Sequence, residues 1–144
     1  MKGIGVLLLT IGFVFCLVLA VQSAEKTPDQ LVNEAKAGIK EVSVYDVKKM
    51  MDAKEKVFII DVMDKEEYEK EHIPGAINIS RGRLEFSVEK VIPDKISKVI
   101  VYCRSDKRGP LATKSLNIVG YGNAVNMKGG LQAWKEAGYP VEQK

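Results

Sequence analysis

Two kinds of hydrophobic pattern alternate along this chain. Val57–Val62 (VFIIDV) and Lys98–Tyr102 (KVIVY) are apolar runs of strand length, rich in β-branched residues. Such runs suit strands buried on both faces. Ala76–Ile79 and Asn123–Met127 are further short extended runs. Between the runs the apolar spacing becomes helical. A helix over Pro28–Ala37 starts on proline and stops at Gly38, the usual asymmetry of helix ends. Ser43 followed by Asp46 marks another start, with Val44, Val47, Met50 and Met51 on one face. Asp64 is placed to cap a charged helix over Lys65–Glu71, which Ile73-Pro74-Gly75 breaks. Leu84–Ile92 ends before Pro93, Gly109/Pro110 opens a helix that Gly120 stops, and Gly130–Ala137 is closed by Gly138. Strands alternating with helices predict an α/β domain: a small, mostly parallel sheet of about 4–5 strands with helices on both faces.

The N-terminal segment does not fit this alternation. After Lys2 no charge occurs from Gly3 through Ala24, and Ile4 to Val21 is nearly all apolar. A positive start, an apolar stretch and the small residues Ala20, Ser23 and Ala24 read as a signal peptide over 1–24. An uncleaved membrane anchor is the alternative, because the run almost reaches the ~20 residues that span a bilayer. Cys16 follows Phe15, where lipid attachment would want a small residue. The expected organisation is therefore an export segment (1–24), a leader helix segment (25–40) and one folded domain (41–144). The expected location is the periplasm, or the outer face of the cytoplasmic membrane if the segment stays attached.

Charge and cysteine content narrow the chemistry. The formal net charge of +3 is small and scattered, with no basic stripe and no aromatic platform, so nucleic acid is not an expected partner. Once 1–24 is removed, Cys103 is the only cysteine; an exported protein needing a staple would carry a pair. A lone cysteine is either inert and buried or a reactive thiol. Its nearest partner in kind, the single histidine His72, is distant in sequence, so no metal ligand set is expected.

The candidate chemistry lies in Lys98–Val119, where an apolar strand delivers the chain to Cys103-Arg104-Ser105-Asp106-Lys107-Arg108 and a helix follows. Ligands of open α/β sheets sit at the carboxyl ends of strands, and a helix start offers free N–H groups to an anion. A thiolate is such an anion, and Arg104, Lys107 and Arg108 add positive charge around it. Cys103 is thus a candidate nucleophile that needs no histidine to activate it.

Three ordered motifs carry a family resemblance. Asp61-Val62, Glu67-Tyr68 and His72-Ile73-Pro74-Gly75-Ala76-Ile77-Asn78-Ile79 resemble the first signature of the rhodanese family. Gly129-Gly130-Leu131-Gln132-Ala133-Trp134, then Ala137-Gly138-Tyr139-Pro140-Val141, resembles its C-terminal signature, with the cysteine loop between. The resemblance covers roughly residues 40–142. It implies a rhodanese-like three-layer domain and a sulfurtransferase. In that reaction Cys103 takes sulfane sulfur from thiosulfate or a similar donor as a persulfide. It then yields the sulfur to a thiophilic acceptor, cyanide in the assay or a thiol in the cell. The backbone amides of 104–108 would cradle the outer sulfur as an oxyanion hole cradles oxygen. The loop Arg104, Ser105, Asp106, Lys107 and Arg108 would bind the anionic donor, led by Arg104 and Arg108. Asp61 would support the active face. No cofactor is implied, and a monomer is expected, with a redox or sulfur-accepting protein as a potential partner.

The same signature assigns structural roles to other residues. Pro74 and Gly75 shape a turn, Trp134 packs the last helix on the sheet, and His72 and Asn78 hold loops by hydrogen bonds. Gly129-Gly130 lets the chain turn into the final helix.

This chain departs from the family pattern twice. Asp106 stands where the loop usually has glycine, and its carboxylate is expected to repel thiolate and donor. Met63 stands where an arginine often follows the first Asp-Val. Both put efficiency with thiosulfate in question. A related phosphatase uses a loop one residue longer, with arginine six positions after the cysteine; here Arg108 comes at five. A non-catalytic sulfur-carrier or binding module in the cell envelope is the other alternative.

Overall fold

A computed structural model describes residues 24–144 of the chain; the segment 1–24, expected to direct export, lies outside the described residues apart from Ala24. Helix α1 spans Pro28–Ala37, with Thr27 as its N-cap accepting from the Gln30 N–H. Strand β1 is only Glu41–Val42, and Ser43 then caps α2 (Val44–Asp52) through the Asp46 N–H. The chain continues through β2 (Phe58–Asp61), α3 (Lys65–Lys70), β3 (Ile77–Asn78), a single 3-10 turn at Arg81–Arg83 and α4 (Leu84–Val91). It ends with β4 (Val99–Tyr102), α5 (Arg108–Ile118), β5 (Ala124–Met127) and α6 (Gly130–Glu136).

The five strands form one all-parallel sheet in the order β1-β5-β4-β2-β3. Four of them coincide with the apolar runs. The fifth, β1, is a two-residue edge strand too short to leave a sequence pattern. Helices α1 and α4 pack on α5, and α2 packs on α6; right-handed crossovers in this strand order put α2 on the face opposite α4 and α5.

Burial explains why the central strands are apolar throughout. All four residues of β4 are buried, and Ile59 and Ile60 of β2 are 6% and 0% exposed. Trp134, Tyr102 and Tyr121 are the bulkiest of the core side chains. The Trp134 indole N–H donates to the Pro140 carbonyl at 2.8 Å, so this large ring is buried without stranding its one polar atom. Met63, in the place of an arginine, contributes apolar volume where no charge could be hydrated.

The chain leaves β2 for β3 on one side and β4 for β5 on the other. The carboxyl ends of β2 and β4 therefore flank a topological switch point, where ligands of such sheets bind. Asp61 ends β2, and Cys103 follows β4.

Candidate active site

Cys103 emerges from β4 and is 1% exposed, a free thiol at the floor of its loop. Its Sγ accepts a hydrogen bond from the Gly109 N–H at 3.2 Å. Gly109 is the second residue of α5, so this donor is one of the first-turn amides that a helix leaves without an internal partner. The contact falls one residue beyond the 104–108 stretch expected from sequence. A Cβ at 109 would lie 2.5 Å from Asn126 Oδ1, so a side chain there would displace that amide.

The other side of the loop is held by α6. The N–H groups of Leu131 and Gln132 donate to the carbonyls of Cys103 and Arg104, at 2.8 and 3.0 Å. This approach is close enough that a Cβ on Gly130 would sit 2.3 Å from the Cys103 carbonyl oxygen. Gly129 and Gly130 both have left-handed backbones, φ +81° and +62°. They make the expected turn, and Gly130 also lets α6 dock onto the Cys103 carbonyl. The loop is thus tied down by backbone groups of two helices, one donating to Sγ and one to the carbonyls behind it.

The loop's charged side chains are arranged differently from the expectation. Arg104 donates to Glu67 Oε1 and Glu71 Oε1, both at 3.1 Å. Arg108 grips Glu67 through both terminal nitrogens, at 2.6 and 2.9 Å. Both guanidiniums therefore answer to carboxylates of α3 and its C-terminal end. These arginines hold Glu67 well below the usual carboxylate range, at about 2. Lys107 is exposed and pairs with Asp29 at 3.1 Å, and Ser105 is also exposed. Asp106 does adopt the left-handed backbone that glycine would favour, φ +62°. Its carboxylate is not an unanswered negative charge: Lys36 lies 2.6 Å from Oδ2, and the Asn126 amide donates to Oδ1 at 2.8 Å. The expected repulsion is thereby compensated inside the protein.

Asp61 is fully buried at the end of β2. Its Oδ1 accepts from the Met63 N–H at 2.8 Å, while Oδ2 has no hydrogen-bond partner. Burial pushes this carboxyl up to about 6, against the pull of the neighbouring Tyr102 hydroxyl and the Met63 N–H. Tyr102 accepts from the Ile73 N–H at 3.0 Å, and its phenol is pushed strongly upward by burial and by the Asp61 charge. Asp61 thus braces the turn out of β2. Asn78 assists by donating to the Asp61 and Met63 carbonyls at 3.2 and 2.9 Å. His72 stacks on Tyr68, with Nδ1 2.8 Å from the Tyr68 carbonyl oxygen. Both residues hold loops, as their motif suggests.

Sequence reasoning missed Lys36, Glu67, Glu71 and Asn126 as neighbours of the loop. Asn126 left a signal, since it is a fully buried amide within an otherwise apolar strand. Among the described residues no group of three or more metal-ligating side chains occurs.

Comparison with known proteins shows the family. The model of the rhodanese-like domain matches residues 43–137. The chain belongs to the rhodanese-like domain family. A Bacillus subtilis relative named as a sulfurtransferase, YtwF, is 34% identical over 97 residues, covering 67% of this chain and 91% of that protein. Thiosulfate sulfurtransferase PspE of Escherichia coli is 37% identical over 70 residues, 49% of this chain and 67% of that protein. A Bacillus subtilis relative named as a sulfur carrier, YrkF, is 29% identical over 102 residues, and the chain spans only 54% of its length. Among solved structures, a thiosulfate sulfurtransferase from Pseudomonas aeruginosa superposes with TM-score 0.73 at 27% identity, over 81% of this chain and 22% of that one. Rhodanese relatives named for sulfur transfer support chemistry of that type here, without fixing donor or acceptor.

Proposed function

We propose that this protein is a thiosulfate sulfurtransferase that works outside the cytoplasmic membrane, with Cys103 as its sulfur-carrying nucleophile. The observation that carries the reading is Cys103 Sγ at the switch point of the sheet, accepting the Gly109 N–H at 3.2 Å. The reaction runs in two displacements. The Cys103 thiolate attacks the sulfane sulfur of thiosulfate; the S–S bond to the sulfonate breaks, and sulfite leaves with the electron pair. Cyanide, or a cellular thiolate, then attacks the outer sulfur of the persulfide. The Sγ–S bond breaks and its electrons return to Cys103. Negative charge develops on the outer sulfur and on Sγ in turn, and the Gly109 N–H needs no reorientation to meet the charge on Sγ. Export of the chain on its apolar N-terminal segment belongs to the same proposal, as does a redox or sulfur-accepting protein as the physiological partner.

One observation favours a second reading, a sulfur-carrier module. Arg104 and Arg108 are engaged by Glu67 and Glu71, which leaves less positive charge for a dianionic donor. The two readings separate in one experiment on the purified protein and its Cys103→Ser variant. Thiocyanate formed from thiosulfate and cyanide, and lost in Cys103→Ser, supports the transferase. A Cys103 persulfide detectable by mass without turnover supports the carrier. Turnover that survives in Cys103→Ser sinks both.

A further inference from the structure

The family match begins at residue 43, so α1 lies outside it, yet α1 packs on α5 and delivers Lys36 to the loop. We infer that Lys36 is a positioning residue for the sulfur-transfer loop: its ammonium neutralises and anchors Asp106, so that an aspartate can occupy the left-handed midpoint beside Cys103. The inference rests on the sulfurtransferase reading and adds α1 to its working parts.

Asp106 has a backbone at φ +62° and a side chain only 12% exposed, with Lys36 Nζ 2.6 Å from one oxygen and Asn126 Nδ2 2.8 Å from the other. A non-glycine residue holds such a backbone only when its surroundings fix it. Asn126 offers Asp106 a neutral donor only, the second hydrogen of its amide going to Glu41 Oε1 at 3.0 Å, so the charge of the carboxylate is answered by Lys36. The same Asn126 abuts Gly109, the residue whose N–H reaches Cys103 Sγ. A displaced Asp106 would therefore be felt at the start of α5 and at the sulfur. Lys36 is held above the ordinary lysine range chiefly by Asp106, with Glu41 and the Cys103 charge adding to the effect. A second tie between α1 and the loop, Lys107 to Asp29, has both partners mostly exposed and contributes little.

The test compares Lys36→Met, Lys36→Arg, Asp106→Gly and the Lys36→Met/Asp106→Gly double variant in the full chain. Two rates are read: thiocyanate formation from thiosulfate and cyanide, and alkylation of Cys103 by iodoacetamide across pH. Lys36→Met is expected to lower both by about tenfold, equivalent to about 1.4 kcal/mol, with Lys36→Arg retaining most of the rate. In the Asp106→Gly background the same lysine substitution should have no further effect, since neither a strained backbone nor a carboxylate is left to control. Lys36→Met rates within twofold of the unmodified protein overturn the inference. So does a further fall in the double variant relative to Asp106→Gly, which means Lys36 acts through general folding. If Lys36→Met does not fold, that last comparison decides alone. If the unmodified protein forms no thiocyanate, the transferase reading fails, while the alkylation rates still report on Lys36.

Discussion

Replacing Gly130 with alanine tests the docking of α6 on the cysteine loop. The new methyl carbon would lie 2.3 Å from the Cys103 carbonyl oxygen and 2.9 Å from that of Arg104, on a backbone at φ +62°. The left-handed backbone costs an alanine roughly 1–2 kcal/mol. Relieving the collision adds about 1–3 kcal/mol, the usual range for overpacking against an unyielding neighbour. Backbone must give way here, because both contacts are carbonyl oxygens held by the Leu131 and Gln132 N–H groups. The expected loss is therefore about 2–5 kcal/mol, a large part of a typical domain's stability. Gly75→Ala is the matched control: its φ is +76° and a Cβ there meets nothing within 4 Å, so it bears the backbone cost alone. Urea unfolding of both variants isolates the collision as their difference, about 1–3 kcal/mol. At roughly 4 °C per kcal/mol, Gly130→Ala should lower Tm by roughly 8–20 °C. Equal destabilisation of the two variants would refute the close approach of α6 to Cys103.

Two buried or half-buried carboxylates should show opposite pH dependence. Asp61 has its folded value raised to about 6, so the folded state binds the extra proton and stability falls as pH rises from about 4 to about 6. Asp61→Asn removes this dependence, and its stability relative to the unmodified protein should rise over that window in urea titrations; a flat difference contradicts the buried, half-satisfied carboxylate. Glu67 has its folded value lowered to about 2 by Arg108 and Arg104, so its contribution is present above the unfolded value and is lost as pH falls toward 2. Glu67→Gln should cost about 1–2 kcal/mol near pH 7, allowing for solvent screening of a pair about one-third exposed, and almost nothing near pH 2; equal cost at both pH values would contradict the ion pair.

The sequence by itself determined the class of fold, the place of the cysteine loop and most element ends. The continuous apolar runs at Val57–Val62 and Lys98–Tyr102 could only be satisfied by burial on both faces, and Pro28, Gly38, Gly120 and Gly138 mark helix limits by local backbone chemistry. Cys103 was legible because its strand, loop and helix are contiguous. Tertiary structure alone decided where the charges go. Arg104 and Arg108 meet Glu67 across a gap of about forty residues, and Asp106 meets Lys36 across |i−j| = 70. Long flexible side chains leave no periodic trace, and their partners are fixed by which strand ends the sheet order brings together. The same holds for Gly130, whose backbone freedom was foreseeable while the carbonyl it approaches was not. Local propensity acts within a few residues, whereas close approach and charge pairing depend on distances that exist only once the five strands are aligned.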